Sequence, residues 1–352
     1  MKRLRTGHLR VGGFATLAVA AVMVAVLASA GAATGSTNRV NSPSLTKGQT
    51  VYFIPKDTVN PYEVIADQGG KISLTAIGDK QVVSSGTSDT AAAQEPSIQT
   101  AIETGAAGIV IAGNDPAALC PELNQAMAKK IAVVTFDSDT NCRQLFINQA
   151  NTQQIGESEV QILGKEMGYK GQFAILSAES TATNQNAWIA WMKVEMKKPL
   201  YKNMQLVKVY YGNDDPATSL QVTESMLQAY PNLKGIIAPT TVGISSAAQY
   251  LAHSKYKGKV ILTGLGLPSQ MKEYLYDGTV AEFELWNPRN LGYLAGYAVA
   301  AIASHVITPK VGQTFRAGNL GTYTIIKGVG GLQVVLGPPF VFTKANVGQF
   351  NF

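Results

Sequence analysis

The chain has 352 residues, a formal net charge of +6, 15% charged residues and two cysteines. Much of the positive charge lies in the first ten residues, so the remainder is close to neutral. The chain has no Lys/Arg cluster interleaved with aromatic residues, which argues against a nucleic-acid-binding surface. A chain of this length is expected to form more than one domain of ordinary size.

The first thirty residues have the layout of a secretory signal peptide. Residues 1–10 are basic and contain no acid, and residues 11–30 form an uncharged Ala/Val/Leu run ending in the small residues Ala28-Ser29-Ala30. An uncleaved membrane anchor is the alternative, because about 20 apolar residues are enough to span a bilayer. No cysteine follows the run, so we expect no lipid attachment. The sequence predicts an exported protein, in the periplasm or on the outer face of the cell membrane, with residues 31–48 as a disordered polar linker.

From residue 49 onward, short β-rich runs alternate with longer amphipathic segments, which is typical of parallel sheets with crossover helices. The first predicted series of strands is 51–55, 81–85, 108–112, 132–137 and 144–148. The second series is 172–177, 206–211, 235–238, 260–264 and 280–286. We therefore expect an α/β fold of two doubly wound parallel-sheet lobes. Ligands of such sheets bind beyond the carboxyl ends of the strands, so residues directly after strands are the candidates.

Three candidate ligand-binding residues belong to the first series. Lys56 and Tyr62 follow the first strand, one as a donor to hydroxyl groups and the other as a surface on which a sugar ring stacks. A solvated lysine and a loop tyrosine are the structural alternative. Asp137 follows the fourth strand, and its carboxylate is suited to accept two hydroxyls through charge-assisted hydrogen bonds. Asp139 is interpreted as a turn or cap residue.

In the second series, Asn184 and Gln185 open a helix after the strand that ends at residue 177. Their side-chain amides offer both donors and acceptors to a ligand. An N-cap is the structural alternative for Asn184, although that role does little to explain Gln185. Trp188 and Trp191 are interpreted as packing residues.

The later strands contribute four more candidates. Pro239 and Thr241 follow the strand at 235–238, where the proline makes the turn rigid and the threonine offers a hydroxyl. Trp286 ends the last strand and Asn287 follows it, with Trp286 as a stacking wall and Asn287 as a polar contact. Burial of Trp286 in the core is the competing interpretation.

Catalytic patterns are missing from the sequence. None of the three histidines adjoins a nucleophile motif, and neither a GxSxG motif, metal-ligand spacing nor a glycine-rich phosphate loop after a strand is present. A glycosidase using Asp137 and Asp139 is disfavoured, because two carboxylates so close on one loop rarely reach both faces of a glycosidic bond. We expect no enzymatic activity, no catalytic residues, no metal and no cofactor.

Cys120 and Cys142 are the two cysteines of a chain with an export signal. Oxidising compartments favour paired cysteines, so we predict a disulfide between them. Two buried free thiols are the alternative, because the sequence does not show whether the Cα atoms lie within bridging distance. A metal site is less favoured still, since no histidines lie nearby.

Short stretches in order along the mature chain carry a family pattern. They are Pro55-Lys56, Leu119-Cys120-Pro121, 136–140, Ile147-Asn148-Gln149, 184–188, Ala229-Tyr230-Pro231, 236–239 and 277–280. In these stretches the chain resembles the type I periplasmic sugar-binding proteins of ABC importers, and within them the branch of rhamnose-binding and autoinducer-2-binding proteins. The resemblance implies a monomer that binds a small sugar and delivers it to the membrane permease of an ABC transporter.

The resemblance also implies two lobes joined by a three-segment hinge. The first lobe is expected to comprise residues 49–149 and about 287–305, and the second residues 150–286 and about 306–352. Four residues fall on ligand positions of the family, namely Lys56, Asp137, Gln185 and Pro239.

Two positions depart from the autoinducer-2-binding pattern, which has an aspartate in place of Asn184 and an alanine in place of Thr241. Loss of a charged acceptor and gain of a hydroxyl are both expected to change the ligand. The stretches 239–244, 264–266, 284–288 and 335–339 resemble rhamnose-binding members instead. We therefore expect rhamnose or a related deoxyhexose as the ligand, with autoinducer-2 as the alternative.

Overall fold

The structure is a computed structural model that describes residues 44–352. The predicted signal peptide and most of the predicted linker lie outside these residues. Within them, no helix combines the length and the apolar character needed to cross a membrane.

Short strands and longer helices alternate along most of the described chain. The strands are Thr50–Ile54 (β1), Lys80–Val83 (β2), Gly108–Ile111 (β3), Ala132–Phe136 (β4), Leu145–Asn148 (β5), Lys170–Ser177 (β6), Asn203–Tyr211 (β7), Leu233–Ala238 (β8), Ile261–Gly264 (β9), Glu282–Leu285 (β10), Thr314–Arg316 (β11), Thr322–Thr324 (β12), Ile326–Gly328 (β13), Gly331–Val335 (β14) and Phe340–Thr343 (β15). The helices are Pro61–Ile77 (α1), Ala91–Glu103 (α2), Cys120–Ala128 (α3), Thr152–Met167 (α4), Thr183–Glu195 (α5), Pro216–Ala229 (α6), Thr241–Ala252 (α7), Pro268–Tyr276 (α8) and Pro288–Ala303 (α9).

Local sequence signals explain where several of these helices begin. Asn60 caps α1 by accepting a hydrogen bond from the Tyr62 backbone NH, and Asp215 caps α6 in the same way from Thr218. A proline occupies the first position of both helices, where its missing NH is not needed. Helix α7 begins at Thr241, so its first turn lies directly at the end of β8.

The first sheet has seven strands in the order β13-β14-β5-β4-β3-β1-β2. Strands β1 to β5 and β14 are parallel, and β13 pairs antiparallel with β14. The strands β3, β4 and β5 are buried throughout, as expected for parallel strands covered by helices on both faces.

The second sheet has four parallel strands in the order β7-β6-β8-β9. Strands β10 and β15 form a separate antiparallel pair beside it, and a bridge between Leu265 and Glu284 connects β10 to the end of β9. The two parallel sheets confirm the predicted α/β class, and all ten predicted strands are present with small shifts at their ends.

The chain passes between the two sheets three times, after β5, between β10 and α9, and between β14 and β15. Helix α9 packs on α1 and on strands of the first sheet, where the sequence places residues 287–305. Residues 326–335 differ from the sequence-based division, which assigned 306–352 to the second lobe. Strand β14 instead extends the first sheet beside β5 and satisfies backbone groups that an open edge would leave unpaired.

Helices α1 and α9 are in backbone contact. A Cβ atom built on Gly69 would lie 1.8 Å from the Arg289 carbonyl oxygen, and one on Gly292 would lie 1.8 Å from that of Ala66. Any side chain at either position would force the helices apart. The pair is therefore held at a distance that only glycine permits.

Cys120 and Cys142 form the predicted disulfide, with their Cα atoms 5.3 Å apart. The bond joins the first residue of α3 to the loop that follows β4. It therefore fixes the loop that begins with Asp137.

Candidate functional site

A cavity enclosing about 320 Å³ of space, part of it continuous with solvent, lies where the carboxyl ends of the two sheets face each other. Its lining comprises Lys56, Asn60, Tyr62, Glu63, Asp137, Asn184, Gln185, Trp188, Asp214, Pro239, Thr240, Thr241, Leu265, Leu285 and Trp286. Eight of the nine ligand-binding residues predicted from the sequence are among them. Their role as ligand contacts remains a prediction.

The carboxylate of Asp137 lies at the centre of the polar side of the cavity. Its Oδ1 accepts hydrogen bonds from the Tyr62 hydroxyl at 2.9 Å and the Gln149 amide at 3.3 Å. Its Oδ2 accepts one from the Asn184 amide at 3.2 Å and lies 3.4 Å from the Lys56 ammonium nitrogen. Lys56 and Asp137 are only 4% and 3% exposed. This pair is therefore a buried ion pair held in place by neutral donors.

The backbone of Asp137 adopts a left-handed conformation with φ of 57°. Aspartate tolerates this region better than most residues, because its short polar side chain bonds locally. The turn directs the carboxylate out of the end of β4 and into the cavity. Aspartate therefore suits position 137 in two ways, because it tolerates the left-handed backbone and it supplies the negative charge.

Lys56 is a permanent cation in this setting. Burial by itself lowers the pKa of a lysine, but the nearby carboxylates, with Asp137 the strongest, outweigh burial and raise the pKa of Lys56 above its usual value. Burial and the neighbouring Asp137 raise the pKa of Tyr62 as well, so its hydroxyl stays protonated and acts as a donor. The polar side of the cavity therefore combines one fixed positive charge with a neutral phenol.

Aromatic rings line the cavity next to these polar groups. The Trp286 indole nitrogen donates a 2.7 Å hydrogen bond to the Tyr62 hydroxyl, and the two rings meet edge to face. Trp188 packs against Trp286 with ring centroids 5.8 Å apart. Trp286 is 4% exposed and also lines the cavity, so its burial is confirmed and its role as a stacking wall stays a prediction. Leu265 and Leu285 complete this apolar wall.

Gln185 is fixed by the end of β6. Its Oε1 accepts hydrogen bonds from the Ser177 hydroxyl at 2.6 Å and the Ala178 backbone NH at 2.7 Å. These bonds orient the side chain and leave the amide nitrogen as its remaining donor. Asn184 is not the helix cap, since α5 begins at Thr183, and its amide reaches Asp137 instead.

Asn287 lies outside the cavity lining. Its side-chain oxygen accepts hydrogen bonds from the Arg289 and Asn290 backbone NH groups and caps α9. Asp139 is also structural, because it accepts two hydrogen bonds from the Arg143 guanidinium and one from Thr135. The Asp137–Asp139 pair is therefore not a pair of free carboxyl groups.

Several lining residues were not predicted from the sequence as ligand contacts. Asp214 follows β7, so the strand-end rule applies to it, and Glu63 directly follows Tyr62. Leu265 and Leu285 carry no polar group that marks them in a sequence. Trp188, interpreted as a packing residue, packs against Trp286 and also faces the cavity.

Three carboxyl groups, those of Asp89, Glu179 and Asp214, place oxygens within 4.8 Å of one another beside the cavity. Burial, and then the nearby Asp214, raise the pKa of Asp89 to about 10 and that of Glu179 to about 7. Burial also raises the pKa of Asp214, whose carboxylate accepts a short hydrogen bond from Thr240. Three carboxyl groups of this kind could hold a cation. Protonation is another way to remove the repulsion between them, and their raised pKa values favour it.

Hydrogen bonds cross from the loops of the first sheet to the start of α5. Thr181 donates to the Asn114 carbonyl at 3.0 Å, and Thr183 donates to the Asp139 carbonyl at 3.1 Å. The Thr183 hydroxyl also lies 3.1 Å from that of Ser138. The two sheets are therefore bridged around the cavity.

The protein has two α/β halves, and a polar and aromatic cavity lies between the ends of their strands. This arrangement is typical of a solute-binding protein. A sequence model of the periplasmic binding protein domain matches residues 51–305. The chain belongs to the periplasmic binding protein family, which binds solutes and is not a family of enzymes.

Solved structures agree with this assignment. An ABC transporter solute-binding protein from Clostridium phytofermentas with bound L-rhamnose is 40% identical, has a TM-score of 0.85, and is matched over 87% of this chain and 98% of its own. A sugar ABC transporter structure from Actinomyces odontolyticus is 44% identical with a TM-score of 0.69, over 86% and 98% of the two chains. LsrB from Clostridium saccharobutylicum in complex with AI-2 is 27% identical with a TM-score of 0.80, over 86% and 100%. They confirm the resemblance to type I periplasmic sugar-binding proteins.

Proposed function

We propose that the protein is the sugar-binding component of an ABC importer and that its ligand is rhamnose or a related deoxyhexose. The observation that carries the proposal is the Asp137 carboxylate, held beside Lys56 in a cavity that Trp188 and Trp286 also line. A charged acceptor and an ammonium donor suit neighbouring hydroxyls, and aromatic rings suit the apolar face of a sugar. The 40% identical structure with bound L-rhamnose supports the same choice.

The apolar residues favour a sugar with a methyl group. Leu265 and Leu285 lie in the same cavity as the polar residues and offer no hydrogen bond to a hydroxyl. A hydroxyl buried against such side chains loses its hydrogen bonds to water, whereas a methyl group gains from burial. This contrast supports a 6-deoxy sugar over the corresponding hexose.

Autoinducer-2 is the second candidate, since a 27% identical structure contains AI-2. The contact between Asn184 and Asp137 argues against it. An aspartate at position 184 would bring a second carboxylate to within 3.2 Å of Asp137, where the amide now donates a hydrogen bond. The Asn184 amide therefore suits a cavity in which Asp137 is the single acceptor carboxylate at this position.

The proposal includes the route of the sugar. The protein acts outside the cytoplasm as a monomer, closes around the sugar and delivers it to the membrane permease of the transporter. The family and the ABC transporter proteins among its relatives support this part of the proposal.

Isothermal titration tests the ligand directly. The mature protein is titrated with L-rhamnose, L-fucose, D-ribose, D-glucose and AI-2, and we expect a deoxyhexose to bind with a Kd below about 100 μM. Thermal unfolding should show a Tm that rises with the logarithm of that sugar's concentration. Failure of every sugar to bind, or binding of AI-2 alone, would contradict the proposal.

The location of the site is tested with Asp137→Asn. This change removes the charge but keeps the shape and tolerates the left-handed backbone. We expect affinity for the bound sugar to fall about tenfold or more, because charge-assisted hydrogen bonds are lost. Asp277→Asn, at the exposed end of α8, is the matched control and should bind as the wild type does. Equal affinity of the two variants would place the site elsewhere.

A further inference from the structure

Glu63 is a buried acid in the wall of the cavity. It lies in the first turn of α1, next to Tyr62, and is only 1% exposed. Its Oε2 atom is buried and has no hydrogen-bond partner among the described residues. A buried oxygen without a partner is unfavourable, so an atom in such a place at a ligand cavity points to the ligand as its partner.

The charges around Glu63 determine its protonation. The loop after β1 contributes Lys56 and Asp57, the loop after β4 contributes Asp137, the loop after β7 contributes Asp214, and α1 itself contributes Asp67. From α9, Arg289 extends toward α1 and donates to Gln68 at 3.3 Å.

Only one of the lining residues is a cation. Lys56 is already paired with Asp137, at 3.4 Å, and so only partly compensates a second carboxylate in the same cavity. An isolated buried charge is far more costly than a neutral acid. Burial, and after it the negative charge of Asp137, accordingly raise the pKa of Glu63 well above its usual value.

We propose that Glu63 is a specificity-determining contact, a neutral carboxylic acid whose Oε2–H donates a hydrogen bond to an oxygen of the bound sugar. This inference rests on the proposed function. It gives the cavity two carboxyl groups with opposite roles, since Asp137 accepts hydrogen bonds and Glu63 donates one. The pair selects a ligand that carries both a hydroxyl donor and an acceptor oxygen.

The proposal predicts that sugar affinity depends on pH. The protonated acid binds, so affinity is full below the pKa of Glu63 and is lost as the pH rises through it. Glu63→Gln keeps the shape and keeps a donor that does not titrate, so it should bind the sugar with no such loss. Glu63→Leu keeps the volume but removes the donor, and should bind weakly at every pH.

The experiment is isothermal titration with L-rhamnose between about pH 5 and pH 9. We expect the wild-type affinity to fall about tenfold per pH unit above the pKa, the Glu63→Gln affinity to stay nearly constant, and the Glu63→Leu affinity to be about tenfold or more below wild type at the lowest pH. Glu273→Gln, on the exposed face of α8, is the control and should follow the wild type. Wild-type affinity for Glu63→Leu, or a wild-type affinity that rises with pH where that of Glu63→Gln does not, would overturn the proposal.

An infrared measurement separates this proposal from the choice of ligand. Without any sugar, the wild type near neutral pH should show the stretching band of a protonated carboxyl group that is missing from Glu63→Gln. If L-rhamnose fails to bind the wild type at any pH, the proposed function is wrong, and the infrared difference still decides the state of Glu63. Absence of the band difference would overturn the neutral acid, and a Glu63→Gln protein with an unchanged Tm shows that the fold is intact.

Discussion

Lys56 and Asp137 form an ion pair that is almost wholly buried. Such a pair stabilises the folded state little compared with apolar residues of similar size, because both charges lose their hydration. Removing one partner destabilises the folded state strongly, because the other charge is then buried without a partner. The pair is therefore expected to serve ligand binding more than stability.

This reasoning predicts that Lys56→Met destabilises the protein strongly, by about 3–5 kcal/mol, whereas the double variant with Asp137→Asn recovers much of that loss. Neither variant should bind the sugar with wild-type affinity. Urea unfolding without ligand measures the stability, and titration measures the binding. A double variant as unstable as Lys56→Met would show that the charge left behind is not the cause.

Single residues were predictable where one physical role dominates. Lys56, Asp137 and Gln185 follow strand ends and line the cavity, as the strand-end rule and the family resemblance both indicate. Asn287 satisfies the same rule, but its side chain caps α9, because ligand contacts and helix caps use the same residue types. Glu63 escaped prediction because its importance depends on burial and on missing partners, which a sequence does not display.

Two further buried acids lie on helix α4 and strand β10. Glu159 and Glu284 are both fully buried, and neither carboxylate oxygen of Glu159 has a partner among the described residues. Burial raises the pKa of Glu284 to about 8 and, together with Glu284, raises that of Glu159 well above its usual value. The Ser158 hydroxyl donates to Glu284 at 2.6 Å and only partly offsets the burial.

Acids whose pKa is raised on folding bind more protons in the folded state, so stability falls as the pH rises from the unfolded pKa toward the folded one. We expect the Tm to decrease between about pH 5 and pH 9 and Glu159→Gln to reduce that decrease, with a gain of about 1 kcal/mol or more at the higher pH. Glu273→Gln, which changes an exposed acid, should leave the pH dependence as it is. Differential scanning calorimetry across this range makes the comparison, and equal slopes for Glu159→Gln and wild type would refute the expectation.

Elements were predictable where their apolar pattern is strong. The ten predicted strands are β1 to β10, most of them buried, and the helices between them follow from their spacing and start signals. Strands β11 to β15 were missed, because each has only three to five residues and at most one of them is buried. The partner of β14 is β5, nearly two hundred residues earlier, and such distant pairing leaves no local signal in the sequence.

The whole molecule has three chain crossings between its sheets, together with hydrogen bonds that bridge the cavity. We expect these three crossings to act as the hinge between the two halves. The hydrogen bonds from Thr181 and Thr183 exist only while the halves are together, so they favour the closed arrangement in which the ligand is enclosed.

Thr183→Val tests this coupling, because it keeps the side-chain shape and removes the donor to the Asp139 carbonyl. We expect affinity for L-rhamnose to fall about two- to tenfold, the equivalent of one neutral hydrogen bond, with little change in Tm. Thr100→Val is the control, since the Thr100 hydroxyl bonds only to the Pro96 carbonyl within α2. Small-angle X-ray scattering should show a larger radius of gyration for Thr183→Val at limiting ligand. Unchanged affinity would mean that closure does not depend on this bond.

The presence of two parallel sheets and the position of the cavity were predictable from the sequence, because alternating strands and helices leave few ways to arrange the chain. The division into lobes was predictable only in part. Residues 326–335 return to the first sheet through pairing with β5, a choice that depends on the unpaired edge of that sheet and not on residues nearby in the chain.

The glycine contact between α1 and α9 has a consequence for the order of events in capture. Tyr62 begins one of these helices and Trp286 precedes the other, and their hydrogen bond lies where the two helices start. Because backbones in contact cannot slide or separate easily, we expect Tyr62 and Trp286 to be in place before any sugar arrives. We therefore expect closure of the second half over the bound sugar to determine how slowly the sugar leaves rather than how fast it enters.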